Sequence, residues 1–439
     1  MNVLVISGSR ARLPDPVYPL GAAIVATAVR RAGHNVSWFD ALQHKDPETA
    51  LSLALEETHP DATLLSIRNI DSAAFPLPER HFEDHLPVVR ICREKNDSPI
   101  ILGGSGFSLM PEVFMAFLKA DVGIAGDGEI AVVDVLRAIE AGETLAPIIR
   151  APAVSAPFVM PDRDLFDADW YYLNGGVANV QTKRGCPLKC IYCTYPCLEG
   201  SVLRKSDPEA VVDELTRLVA RGIRHFFFVD TSFNASESHA EAVCEGIIRA
   251  DLDISFAAYL IPRRRSAEFP ALLKRAGCTA AELGTDALSE EMLRSYNKGF
   301  SVADVLDFSA ALKSLEIPQC HNLILGGPGE TSKTMDTSIA RMDSMNPTAV
   351  ILTIGLRIFP DTALAAMTLT QDEPLSGRQL EPVFYIEEAV ADSIVEKCAS
   401  WTEARRGWIC PGLGKRYNPR YLERLRIHRK RKGPLWPMF

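Results

Sequence analysis

The 439-residue chain is 47% hydrophobic and 23% charged with a net charge of −9, enough apolar material for two or three domains with full cores. Its longest apolar runs, such as "NVLVIS" and "AVILTIG", are strand-sized and far below the ~20 residues of a membrane span; ten cysteines, clustered around 186 to 197, do not read as a secreted disulfide framework. "MNVLVIS" opens directly as a strand with no basic run before it, so no secretory leader is expected and the cytoplasm is the expected compartment.

Strand and helix signals alternate through residues 1–145. "NVLVIS", "NVSWFD", "ATLLSI", "PIILGG" and "VGIAG" read as strands. Between and after them lie "PLGAAIVATAVRRAG", "PETALSLALEETH", "FEDHLPVVRICREK", "PEVFMAFLKA" and "IAVVDVLRAIEAG", with apolar residues at helical spacing. Five strands and five helices predict a doubly wound, Rossmann-like parallel sheet, whose ligand sits beyond the carboxyl ends of the strands. One loop there, "GGSG", places Gly103, Gly104 and Gly106 where backbone could approach a bulky ligand; structural turns of this kind are as common. No G-x-G-x-x-G follows the first strand and no phosphate-binding loop occurs, which argues against a dinucleotide or nucleotide site.

Residues 146–174, with Pro147, Pro152, Pro157 and Pro161, read as a linker. Alternation resumes over 175–365. Strands are expected at "ANVQTKR", "HFFFVD", "ISFAAYL", "AELGTD", "CHNLILGG" and "AVILTIGLRIF". Six such units predict a partial (β/α)6 barrel with its chemistry at the strands' carboxyl ends. Residues 366–439 read as a small, mainly helical segment. From Lys415 to Lys432 nine Lys/Arg stand against Glu423 alone, either a solvated tail or a contact for a polyanion or protein.

"RGCPLKCIYC" carries Cys186, Cys190 and Cys193 just after the first barrel strand. Zinc prefers four ligands in paired knuckles. The nearby Cys197 follows Pro196 and does not extend the pattern cleanly. A four-iron, four-sulfur cluster normally takes four thiolates; three leave one iron open to a chelating small molecule.

This C-x3-C-x2-C loop, with Tyr192 before its last cysteine, resembles that of the radical S-adenosylmethionine (SAM) superfamily. "ELGTD", "LILGGPGET", "FFFVDTSFN" and "LRIFPDT" resemble that family's strand-end segments. The resemblance implies a 4Fe-4S cluster on Cys186, Cys190 and Cys193, with SAM on the open iron. It implies SAM contacts drawn from Tyr192, Asp230, Glu282, Asp286, Gly326, Gly327 and Arg357; each acidic residue has a capping or surface alternative, and Arg357 an ordinary salt bridge.

"YPLG", "SIRNID", "GGSG" and "GDGE" make the first domain similar to that of the cobalamin-binding class of radical SAM enzymes. Leu20, Gly21, Arg68, Asn69, Gly103, Gly104, Ser105, Gly106, Gly128 and Glu129 are its implied cobalamin contacts. The D-x-H-x-x-G motif that supplies a lower cobalt ligand is absent, as is usual in that class, where another side chain or none covers the face; Arg68 and Asn69 are the candidates. The implied activity is C-methylation of an unactivated carbon, through a 5′-deoxyadenosyl radical and methylcobalamin, with a flavodoxin or ferredoxin as electron donor. The substrate leaning is to a protein residue, such as a glutamine of methyl-coenzyme M reductase. The alternatives are a ring-forming or rearranging radical enzyme acting on a natural product or lipid, and a non-catalytic metal- or cobalamin-binding module. No nucleic-acid partner is expected.

Overall fold

The computed structural model describes residues 1–12, 14–368, 380–413, 424, 426 and 431–438. Its first half is a parallel sheet of β1 (Asn2–Ser7), β2 (Asn35–Asp40), β3 (Ala62–Ser66), β4 (Ile100–Gly103), β5 (Val122–Ala125) and β6 (Ile148–Arg150), in the order β2-β1-β3-β4-β5-β6. Parallel strands are joined by helical crossovers that cover both faces. Successive residues of β1 therefore enter different cores: Val3 and Val5 pack with Leu64 and Ile101 on one face, Leu4 and Ile6 with Leu102 and Phe107 on the other. The chain reverses its direction of travel across the sheet between β1 and β3, which opens a crevice at their carboxyl ends.

The second half is an open parallel barrel wall. It comprises β7 (Ala178–Val180), β8 (His225–Phe228), β9 (Ser255–Leu260), β10 (Cys278–Asp286), β11 (Gln319–Leu325), β12 (Ala349–Ile354) and β13 (Trp408–Ile409), in the order β13-β12-β11-β10-β9-β8-β7. Amphipathic helices such as Pro208–Ala220 and Glu237–Arg249 bury Val211, Leu215, Val243 and Ile247 against its outer face. The lumen is lined instead by small residues, among them Ala257, Ala280 and Ala349, which leaves room inside it.

Two strands exceed the sequence expectation. The supposed linker contributes β6 to the first sheet, and the segment after 365 contributes β13 to the barrel. Both are only two or three residues long, too short to show a hydrophobic period. The stretch 146–174 also begins the helix Ala168–Gly175. The basic run 415–432 lies largely outside the described residues; Arg426 and Lys432, within them, are docked on the body of the protein. No helix among the described residues is long and apolar enough to cross a membrane.

Candidate active site

The cysteine loop leaves β7 through a two-residue strand, Lys183–Arg184, that pairs with Arg204–Lys205 and closes the loop on itself. Gly185 takes φ +88°, and a Cβ there would stand 2.2 Å from the Val202 carbonyl, so the turn into the first cysteine requires glycine. Cys186 N–H donates to Gly200 O at 3.0 Å, and Cys193 N–H to Cys190 O at 3.2 Å. Cys186 is buried, Cys190 and Cys193 are half-buried, and all three are free thiols. Burial pushes each thiol up, Cys193 to about 12, and the ammonium of Lys298 opposes the shift. Among the described residues no three His, Cys, Asp or Glu side chains converge on a point where one metal ion would sit. The donor set is three free thiols in one loop, which fits a cluster whose irons each take one cysteine. Cys197 is exposed, its Sγ donating to Asp361 O at 3.4 Å.

Above this loop Tyr192 and Lys298 both hydrogen-bond the Asp286 carboxylate, which joins two of the expected SAM contacts. Asp286 has φ 59° at the end of β10, where the pairing with β11 shifts register. Gly326 and Gly327 lie in the loop after β11. Gly327 packs on the ring of Tyr296, and Gly326 N–H reaches Glu330 Oε2 at 3.3 Å.

The structure gives the remaining expected SAM contacts different surroundings. Asp230 does not line the cavity. It is fully buried and accepts from Thr182 N–H (2.6 Å), Thr182 Oγ1 (2.6 Å), Lys183 N–H (3.0 Å) and Lys183 Nζ (2.6 Å). Arg357 is paired with Asp71 of the first domain, Nε to Oδ2 at 2.9 Å, with its guanidinium over Phe359. Both are buried ion pairs, which from sequence look the same as ligand-binding charges. Glu282 sits at the middle of β10, four residues before Asp286, the other expected SAM contact on that strand.

A cavity of about 1000 Å³ runs from the crevice of the first domain into the barrel. All ten expected cobalamin contacts line it, from Leu20 and Gly21 through Arg68, Asn69 and Gly103 to Gly106, to Gly128 and Glu129. At its other end stand Thr194, Tyr195, Leu198 and Glu199 of the cysteine loop's own helix, then Tyr259 and Glu282. Tyr195 and Tyr259 each expose 40% of their surface, and both face this interior space. Arg68 lines it with a buried Nε that has no partner among the described residues, which a large ligand rich in amide oxygens would satisfy. The crevice thus fits a cobalamin in size and in its unpaired donor. The glycines act differently from expectation: at Gly104, φ +100°, a Cβ would meet Ile67 O at 2.5 Å. These glycines let the loop after β4 close on the loop after β3 and so build the crevice wall.

Sequence reasoning missed Lys298, Asp127, Arg184 and Trp436. Arg184 bonds Glu129 Oε1 at 2.7 Å and Asp127 Oδ1 at 3.4 Å, Arg204 bonds Asp127 Oδ2, and Phe158 stacks 4.5 Å from Arg184. Arg184 and Asp127 lie within quoted segments, "RGCPLKCIYC" and "GDGE"; Lys298 and Trp436 carry no local signal.

An open parallel barrel whose first strand delivers three cysteines to its carboxyl end, behind a doubly wound domain with a crevice at its own strand ends, defines a two-cofactor enzyme class. Residues 180–342 match the family model of the radical SAM superfamily and residues 7–136 that of the B12 binding domain. The chain belongs to the radical SAM enzymes that carry a B12-binding domain, and its cofactors are SAM, a 4Fe-4S cluster and cobalamin. It is 25% identical to the tryptophan 2-C-methyltransferase of Streptomyces laurentii over 81% of this chain and 72% of that one. The structure of the radical SAM methyltransferase TsrM from Kitasatospora setae, with tryptophan and a SAM analogue bound, superposes with a TM-score of 0.85 at 22% identity, over 99% of this chain and 96% of that one. The cobalamin-dependent radical enzyme OxsB superposes with a TM-score of 0.70 at 16% identity, over 92% and 66%.

Proposed function

We propose that the chain is a cobalamin-dependent C-methyltransferase acting on a small aromatic molecule. The observation that carries this reading is the single cavity, walled at one end by the crevice of the B12-binding domain and at the other by the cysteine loop and the barrel lumen. Together the cofactors, when bound, supply a methyl group and the means to transfer it. The protein's share is to hold Cys186, Cys190 and Cys193 in one closed loop, to fix the spacing of the two domains through Arg184 and Arg357, and to enclose the acceptor away from water.

The aromatic acceptor is supported by the lining of the lumen, with Tyr195, Phe227, Tyr259 and Ile351, and by the relative named for tryptophan. The leaning toward a glutamine of another protein has no such support and is set aside. The test is anaerobic reconstitution with iron, sulfide and hydroxocobalamin, then incubation with SAM, a reductant and a panel of free aromatic amino acids and indoles. A product heavier by one methylene supports the reading; an aromatic product of unchanged mass, or lighter by two hydrogens, supports the ring-forming alternative instead.

A further inference from the structure

The barrel lumen ends in a side chain from the far end of the chain. Trp436 is buried among Ala257, Ala280, Cys320 and Ala349, close to the amino-terminal ends of β9 to β12. An indole needs the room that these four small residues leave. Its segment is fastened at several points: Arg426 grips both oxygens of Asp15 at 2.9 and 2.6 Å, Lys432 Nζ donates to Tyr172 O at 2.7 Å, and Gly433 N–H donates to Gly176 O at 3.0 Å. The tail therefore forms the floor of the cavity.

Above that floor stands Glu282. The Trp436 indole N–H donates to Glu282 Oε1 at 2.9 Å. The Tyr259 hydroxyl, from the residue paired with Glu282 across β9 and β10, is a second donor. Both donors are neutral, and no lysine or arginine among the described residues offsets the charge. Burying a carboxylate with so little compensation is costly. With two donors for about four acceptor sites, it retains acceptor capacity, and it lines the cavity. Folding gains little from such a group, whereas a substrate bearing a hydrogen-bond donor gains a specific contact.

We propose that Glu282 receives the N–H of a flat heteroaromatic substrate at the floor of the cavity, and that Trp436 is the positioning residue that orients Glu282 and limits the cavity's depth. This rests on the reading of the cavity as the acceptor's site. The chain's own indole N–H shows that the carboxylate and its aromatic surroundings accommodate such a ring.

Calorimetric titration of the cobalamin- and cluster-loaded protein, without reductant and so without turnover, tests this with two probes, indole and 1-methylindole, which lacks the N–H. Indole should bind about ten-fold or more tightly than 1-methylindole. Glu282→Leu should abolish that preference and Glu282→Gln, which keeps a neutral acceptor, should retain part of it. Trp436→Phe keeps an aromatic floor but not its N–H; the preference should weaken, and the pH at which it is half-developed should rise, because the ionised carboxylate has lost a donor. Equal binding of the two probes to the wild type, binding of neither, or a preference that survives Glu282→Leu overturns the proposal. An intact preference without methyl transfer supports the role of Glu282 and counts against the methyltransferase reading alone.

Discussion

Arg184, two residues before the first cluster cysteine, holds Glu129 of the B12-binding domain at 2.7 Å. Both side chains are nearly fully buried, so the contact couples the strand that carries the cysteine loop to the first turn of the helix Gly128–Glu140 at the crevice wall. A parallel clamp, Arg357 to Asp71 at 2.9 Å, does the same at the far end of the barrel. The distance between the two cofactor sites is therefore set by buried ion pairs, whose geometry leaves little freedom for hinging.

Removing one partner of such a pair strands the other charge in a medium that solvates it poorly. Glu129→Ala should lower stability by about 3 kcal/mol or more, read as a shift in the denaturant midpoint. Glu129→Gln, which keeps an acceptor for Arg184, should cost less.

The cysteine loop gives a composition test. Alanine at Cys186, Cys190 or Cys193 should abolish bound iron and sulfide after anaerobic reconstitution. Alanine at Cys197, whose exposed thiol donates to the Asp361 carbonyl, should leave both at the wild-type level. Iron, sulfide and the electron paramagnetic resonance of the reduced cluster report this directly.

Asp230 separates a structural charge from a ligand contact. Its carboxylate is surrounded by Thr182 and Lys183, so Asp230→Ala would leave the buried Lys183 ammonium unpaired. A stability loss of about 3–5 kcal/mol is expected. Asp230→Asn should bind SAM as the wild type does in calorimetric titration, since both Asp230 oxygens are already occupied by Thr182 and Lys183.

Glu282 predicts a pH dependence. Burial raises its carboxyl to about 7 from the ordinary 4.5, and the hydrogen bonds from Trp436 and Tyr259 only partly oppose this. The titratable groups facing it are the Tyr259 hydroxyl and the Cys320 thiol. A carboxyl with a raised value holds its proton in the folded state after the unfolded chain has released it, so its contribution to stability is lost as pH rises from about 4.5 to about 7. Glu282→Gln should therefore gain stability relative to the wild type between pH 5 and pH 8, by up to about 3 kcal/mol. Chemical denaturation of both proteins at the two pH values measures the difference.

The parts legible in the sequence were those whose signal is local. β1 and β11 carry enough Val, Ile and Leu to read as buried parallel strands, and the three cysteines define their loop by spacing alone. The crevice of the first domain was legible because a doubly wound sheet opens one at known strand ends, where Arg68, Gly104 and Glu129 fall. β6 and β13 were not, since two or three residues have no period and owe their state to a neighbouring strand. At Asp230 and Arg357 a charge at a strand end looks the same in sequence whether its partner is a cofactor or a buried residue 47 or 286 positions away. Trp436 was beyond reach for the same reason: its partner Glu282 lies 154 residues earlier.

The central claim is that both cofactors serve one cavity and that a methyl group leaves it on an aromatic acceptor. It is tested by incubating the reconstituted protein with SAM bearing a trideuterated methyl group, a reductant and L-tryptophan, and following the product by mass spectrometry. Tryptophan carrying the intact trideuteromethyl group is predicted, with its formation abolished when cobalamin is omitted or Cys190 is replaced by alanine. Labelled product that forms equally well without cobalamin, or SAM consumed with no label passed to the acceptor, would contradict it.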